Sequence, residues 1–164
     1  MYGIQPIDRK CFIVAAFFAL TIGTVQLAYS QADENAIIDR YISRQAKSGG
    51  CEEYQDARKT LRGDVNGDGT VDVVVLYSLE GCGGGGNNWA QSLAVFLKKE
   101  KSIRYAAHAV VGGKLNRSVD LMSISGGRIN LDTTGYKSND PACCPSRKGK
   151  TKYVFSRGKL REVK

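Results

Sequence analysis

Beyond residue 30, apolar positions recur at helical spacing only once, where Ile37, Ile38, Tyr41 and Ile42 fall on one face of a stretch from Asp33 to Lys47. Asp33 is placed to cap this predicted helix, Glu34 complements its positive end, and Gly49-Gly50 stops it. Beyond the glycines the period changes to that of strands broken by turn residues. The predicted strands are Arg58 to Arg62, Val71 to Leu79, Ala90 to Leu97, Ile103 to Val111, Ser118 to Ser125, Arg128 to Thr134, Thr151 to Ser156 and Lys159 to Val163. Short joints at Gly112-Gly113, Gly126-Gly127 and Arg157-Gly158 read as hairpins, which permit only antiparallel neighbours. Val73-Val74-Val75-Leu76 is apolar without alternation, the signature of a central strand covered on both faces. The expected fold is therefore α+β: an N-terminal amphipathic helix packed on a twisted antiparallel β meander of about 6–8 strands.

Ahead of this domain stands a segment of a different kind. A basic end at Arg9-Lys10, an apolar run from Cys11 to Ala28 and the small-residue exit Ala28-Tyr29-Ser30 follow the plan of a secretory signal peptide, with cleavage expected after Ser30. That leaves residues 31–164 as a single domain in the periplasm or outside the cell, with no stable membrane span once the signal is cleaved. Export changes the meaning of the cysteines, because an even set in an oxidising compartment points to disulfides. Cys51, Cys82, Cys143 and Cys144 remain after the signal is removed. The pairing expected joins Cys143 and Cys144 each to Cys51 or Cys82, in either order, since a bridge between adjacent residues departs from ordinary disulfide geometry.

The most specific motif is Asp64-Val65-Asn66-Gly67-Asp68-Gly69-Thr70-Val71-Asp72. Calcium needs six to eight oxygens around one point, and loop positions 1, 3, 5 and 9 converge when glycine at position 6 permits a sharp turn. The expected ligands are Asp64, Asn66, Asp68 and Asp72, with the backbone carbonyl of Thr70. An EF-hand is excluded because position 12 is Val75 and lies in a predicted strand. With the Val-rich strand that follows, the stretch resembles the calcium loop of FG-GAP and VCBS repeats, the blades of integrin-type β-propellers. The resemblance spans residues 63–77 in a single copy, so it implies a structural calcium loop and not a propeller. The competing reading is a bare Asp/Asn/Gly turn between strands.

Other signals carry less chemistry. Gly81 to Gly86 satisfies G-x-G-x-x-G, yet no acidic residue stands about twenty positions on, which excludes a dinucleotide turn. Asn87, Asn88 and Trp89, the only Trp, form a candidate binding rim suited to glycans or peptide strands. His108, the only histidine, has no partner in sequence, and alternation places Tyr105 on the opposite face. The chain carries a formal charge of +8. Its basic end, with Arg147, Lys148, Lys150, Lys152, Arg157, Lys159, Arg161 and Lys164, reads either as a basic edge for an acidic protein or an anionic envelope glycan or lipid, or as an edge strand guarded by charge. Nucleic acid is not an expected partner of an exported chain without stacking motifs. The expected function is a small calcium-stabilised, non-enzymatic binding or accessory protein of the cell envelope. A secreted-enzyme inhibitor and a calcium-assisted hydrolase of envelope polymers, using Glu80 or His108 beside the acidic loop, are the alternatives.

Overall fold

The computed structural model describes residues 31–84 and 87–163, so the expected signal peptide lies outside the described residues. Helix α1 occupies residues 31–49 and is followed by nine strands. These are β1 (Glu52–Glu53), β2 (Lys59–Gly63), β3 (Asp72–Glu80), β4 (Trp89–Lys99), β5 (Ser102–Gly113), β6 (Arg117–Ser125), β7 (Arg128–Gly135), β8 (Arg147–Ser156) and β9 (Lys159–Val163). All pairings are antiparallel, and β3 to β9 follow one another in chain order, with β1 and β2 sharing the outer side of β3. The α+β meander expected from the pattern is present, mostly β and with more strands. Among the described residues no helix is long and apolar enough to cross a membrane.

The sheet does not lie flat. Between β5 and β6 the ladder thins to one pair, Gly113 with Arg117, and there the second half of the sheet turns back over the first. The result is three layers: helix, strands β1–β5, and strands β6–β9. One core lies between helix and first layer, built from Ile38, Ile42, Val73, Val75, Tyr77, Ala94, Phe96 and Ile103. A second lies between the strand layers, where Val74, Leu76, Leu93 and Val95 meet Val119, Leu121, Ile129, Leu131 and Tyr153. Strand β3 sits between both cores, which is why it is apolar at consecutive positions instead of alternate ones.

Three local expectations are corrected. Asp33 lies inside α1 and does not cap it, because helical backbone already includes Gln31. Gly112-Gly113 ends strand β5 instead of forming a hairpin tip, and the turn is made by residues 114–116 with Leu115 at φ 59°. The glycines are needed for a close approach: a Cβ on Gly112 would stand 2.6 Å from the carbonyl oxygen of Arg117, where β6 crosses over. The other two joints are hairpin turns as expected, with both central residues at positive φ in Gly126-Gly127 and in Arg157-Gly158.

The disulfide pairing is the third correction. Cys51 joins Cys82, and Cys143 joins Cys144, so no bridge ties the loop after β7 to the first layer. The cause is local: β1 pairs with the end of β3, Glu52 opposite Glu80, which carries Cys51 to Cys82, two residues past the end of that strand. A bridge over a separation of 31 residues stabilises by about 3–4 kcal/mol through the entropy of the unfolded chain.

Candidate functional site

The acidic loop is a self-bonded turn on the approach to β3. Asp64 accepts backbone N–H groups from Asn66 at 3.1 Å, Gly67 at 2.7 Å and Gly69 at 2.9 Å. Asp68 accepts from the Thr70 N–H at 2.7 Å and from the Asn66 side-chain amide at 2.9 Å, while the Asn66 side-chain oxygen Oδ1 accepts from the Asp68 N–H at 3.0 Å. These donors hold the carboxyls of Asp64 and Asp68 below the usual carboxylate range, the backbone of Gly69 weighing most on Asp64 and the Asn66 side chain on Asp68. Both stay ionised at neutral pH. Each carboxylate oxygen has two acceptor directions; Asp64 Oδ1 uses both, on Asn66 and Gly67, whereas Asp64 Oδ2 and both oxygens of Asp68 accept one bond each and keep capacity for a cation.

Asp72 is placed differently from the other expected ligands. It is fully buried, with one oxygen accepting the N–H of Val65 at 3.2 Å and the other the N–H of Lys98 at 2.9 Å. Burial pushes its carboxyl up from the ordinary value, against the pull of those two N–H groups. It acts as a clamp tying the loop's base to β4. Among the described residues no three His, Cys, Asp or Glu side chains gather as a metal cluster, and Lys98, Lys99 and Arg104 line the same cleft as Asn66 and Asp68.

Beside this clamp stands one that the sequence did not reveal. Glu34, on the first turns of α1, is 3% exposed and is paired with Arg62 of β2 at 2.6 Å and with the Lys98 ammonium of β4. Burial pushes its carboxyl up, but the two cations outweigh burial and hold it below the ordinary value. Glu34 therefore anchors the helix to the sheet rather than serving the helix dipole alone.

The residues proposed for hydrolysis are not brought together. Glu80 ends β3 whereas Asp72 begins it, so the 9-residue length of the strand, about 26 Å from end to end, separates them. Glu80 lines a groove with Glu52, Glu53 and Tyr54 at the disulfide end. His108 lies opposite Ala94 on the helix-facing side of β5, and its Nδ1 is 2.8 Å from the Tyr105 hydroxyl. Alternation put these two side chains on opposite faces. A bulge between Val95 and Phe96 inserts Ala106 without a partner and returns Tyr105 to the side of His108. Tyr105 in turn stacks on Tyr41 at 4.5 Å, so the pair extends the helix-side aromatic cluster.

In the candidate rim, Asn87 and Asn88 are exposed and Trp89 is half-buried as the first residue of β4, opposite Glu80. The Asn88 carbonyl accepts the Gly81 N–H at 2.8 Å, and the Asn88 amide donates to the Cys82 carbonyl. The rim is thus braced against the disulfide.

Strand register organises the basic residues. On β8, Tyr153 points into the core, so Lys148, Lys150 and Lys152 share the opposite, solvent face. Val154 pairs with Arg161 and with Arg128, and Ser156 pairs with Lys159, which puts three more cations on that face. All six are exposed. Asp132 faces Lys150, and Asp120, next across the sheet, is paired with Lys59 at 2.5 Å. A groove of 590 Å³ runs over this face, lined in part by Ser118, Asp132, Thr134, Lys148 and Lys150. Arg128, nineteen residues before the basic end begins at Arg147, had no sequence signal that places it here; only pairing of β7 with β8 does so.

No family model matches the chain, and no curated protein or solved structure matches it either.

Proposed function

We propose that the protein is an exported, non-enzymatic binding or accessory module of the cell envelope that takes an anionic envelope glycan on the outer face of β7, β8 and β9. The observation that carries this reading is the alignment of Arg128, Lys148, Lys150, Lys152, Lys159 and Arg161 on one exposed sheet face. Along β8 the lysines recur every second residue, about 6.6 Å, and neighbouring strands add cations about 4.8 Å to the side. That grid suits a polymer with repeated carboxylates or sulfates better than a single small anion. Charges placed only to guard a sheet edge would be concentrated on the edge strand, whereas Lys152 is paired on both sides, to Asn130 and to Val163. Binding of the purified chain to an acidic polysaccharide should weaken steeply with salt. The triple substitution Lys148→Ser, Lys150→Ser, Lys152→Ser should weaken it at least tenfold, with Lys47→Ser and Lys99→Ser as neutral controls. Equal binding by the triple variant would reject the face.

Calcium enters this proposal as a staple. Asp64, Asn66, Asp68 and the Thr70 carbonyl are the donors, with Asp72 supporting the loop from inside. Extracellular sites of this kind bind at about 0.1–1 mM. Calorimetric titration should show one site, and Asp68→Ala should abolish the rise in melting temperature that calcium produces. If wild type and Asp68→Ala melt alike at millimolar calcium, the loop is a turn and nothing more.

A further inference from the structure

We infer that Cys143 and Cys144 form a thiol–disulfide exchange site, cycling between a disulfide and a dithiol without loss of the fold. The two bridges of the molecule stand in opposite situations. Cys51–Cys82 spans a separation of 31 residues, is half-buried and is packed closely enough that a Cβ on Gly49 would stand 2.7 Å from the Cys51 sulfur. Cys143–Cys144 joins consecutive residues, encloses no intervening chain, and both residues are exposed. A cross-link that encloses no chain removes almost no entropy from the unfolded state, so opening it takes almost nothing from stability.

The loop that presents the pair is held by other means. Asp140 accepts the N–H groups of Lys137 and Ser146, each at 2.8 Å, and the Ser146 hydroxyl, which closes the base of the loop. The Tyr136 hydroxyl donates to the Ala142 carbonyl at 2.8 Å, and the Cys144 N–H donates to the Pro141 carbonyl at 2.9 Å. None of these bonds uses sulfur, so the loop keeps its shape when the bridge opens. Across residues 136–148, Lys137 in the loop and Arg147 and Lys148 at the start of β8 outnumber the single carboxylate of Asp140, a net positive charge that favours thiolate over thiol.

The partner is an external dithiol. Its thiolate attacks one sulfur of the pair, forming a mixed disulfide and releasing the other as thiolate, which takes up a proton. Its second thiol then closes on the mixed disulfide, so the external dithiol is oxidised and Cys143 and Cys144 are reduced by two electrons and two protons.

The purified full chain carrying Cys11→Ser would be equilibrated in graded ratios of reduced to oxidised dithiothreitol, quenched in acid, alkylated and mapped by peptide mass. Cys143 and Cys144 are expected to be alkylated together at a ratio at least tenfold less reducing than Cys51 and Cys82 require, with the melting midpoint unchanged when only the first pair is open. In Cys143→Ser incubated with oxidised glutathione instead of dithiothreitol, the Cys144 thiolate should attack the glutathione disulfide, release one reduced glutathione and be recovered as the mixed disulfide. Opening of both bridges at one ratio, a fall in melting midpoint as the first pair opens, or peptides linking Cys51 or Cys82 to Cys143 or Cys144 would each overturn the assignment. The double variant Cys143→Ser, Cys144→Ser is expected to melt like the parent, and a loss of folding there would equally overturn it.

Discussion

Strand β4 faces two interfaces made in different ways. Toward the helix it presents Ala94 and Phe96, and the seam is sealed by aromatic contacts of Tyr41 with Phe96 and Tyr77 and by the buried Glu34 clamp. Toward the second strand layer it presents Leu93 and Val95, but the seam is sealed by polar side chains standing in for a missing ladder. Gln91 donates to the Val119 carbonyl at 3.2 Å and accepts the Val119 N–H at 2.7 Å, so one amide side chain gives β6 the bonds that a neighbouring strand would have given. Arg117 reaches the Val111 carbonyl at 2.8 Å and pairs with Glu162 of β9 at 2.8 Å, with Tyr153 and Thr151 also bonded to Glu162. A helix satisfies most of its own backbone groups, so its seam with the sheet needs polar partners only for side chains such as Glu34. A sheet folded on itself exposes backbone donors and acceptors at the fold, and these require partners.

That contrast sets an order of effects. Phe96→Ala, which empties the helix-side core at a fully buried ring, should cost about 4 kcal/mol in urea unfolding. Gly112→Ala should cost about 3 kcal/mol, because its Cβ meets the Arg117 backbone carbonyl at 2.6 Å and, at 2.9 Å, the Gln91 Oε1 that is itself bonded to Val119, and a loss below about 0.5 kcal/mol would show that β6 does not cross so closely. Gln91→Leu keeps the volume but strands the Val119 N–H and carbonyl, for an expected loss of about 2 kcal/mol. Glu162→Gln should be smallest, at most about 1 kcal/mol, because its carboxylate is partly solvated.

Acid weakens both seams. The Arg117 guanidinium, then the Thr151 hydroxyl, hold Glu162 down to about 2, whereas Glu34 is lowered by Lys98 and Arg62 against its burial. In both cases the native carboxyl is more acidic than the unfolded one, so the contribution is complete above the unfolded value of about 4.3 and is lost as pH falls toward the native value. Asp72 has the opposite sign: raised by burial, it opposes folding above its native value and ceases to do so when protonated. Stability measured from pH 6 to pH 2 should therefore fall less steeply in Glu162→Gln than in wild type. An unchanged slope would remove Glu162 from the seam.

Much of the first layer and its helix was legible because its information is local. Ile38 and Ile42 announce a helix face by spacing, and the unbroken run through Val73 to Leu76 announces a strand covered twice. The candidate site was legible only as composition. Asp64, Asn66, Asp68 and Asp72 look alike in the motif, yet the last is buried against Lys98, twenty-six residues away, and no spacing rule within nine residues reports that. Tyr105 and His108 were assigned to opposite faces because a bulge leaves no mark in a pattern of period two.

From the sequence alone came the helix, eight of the nine strands, two of the three hairpins, the antiparallel order and the oxidisable cysteines, since each depends on side-chain period or on turn chemistry within a few residues. The tertiary structure alone decided that the meander folds into two layers, that Cys51 meets Cys82, that Glu34 is a buried anchor, and that Arg128 joins the lysines of β8. Those outcomes depend on which backbones approach one another at a distance, and glycines such as Gly112 admit that approach without naming the strand that makes it.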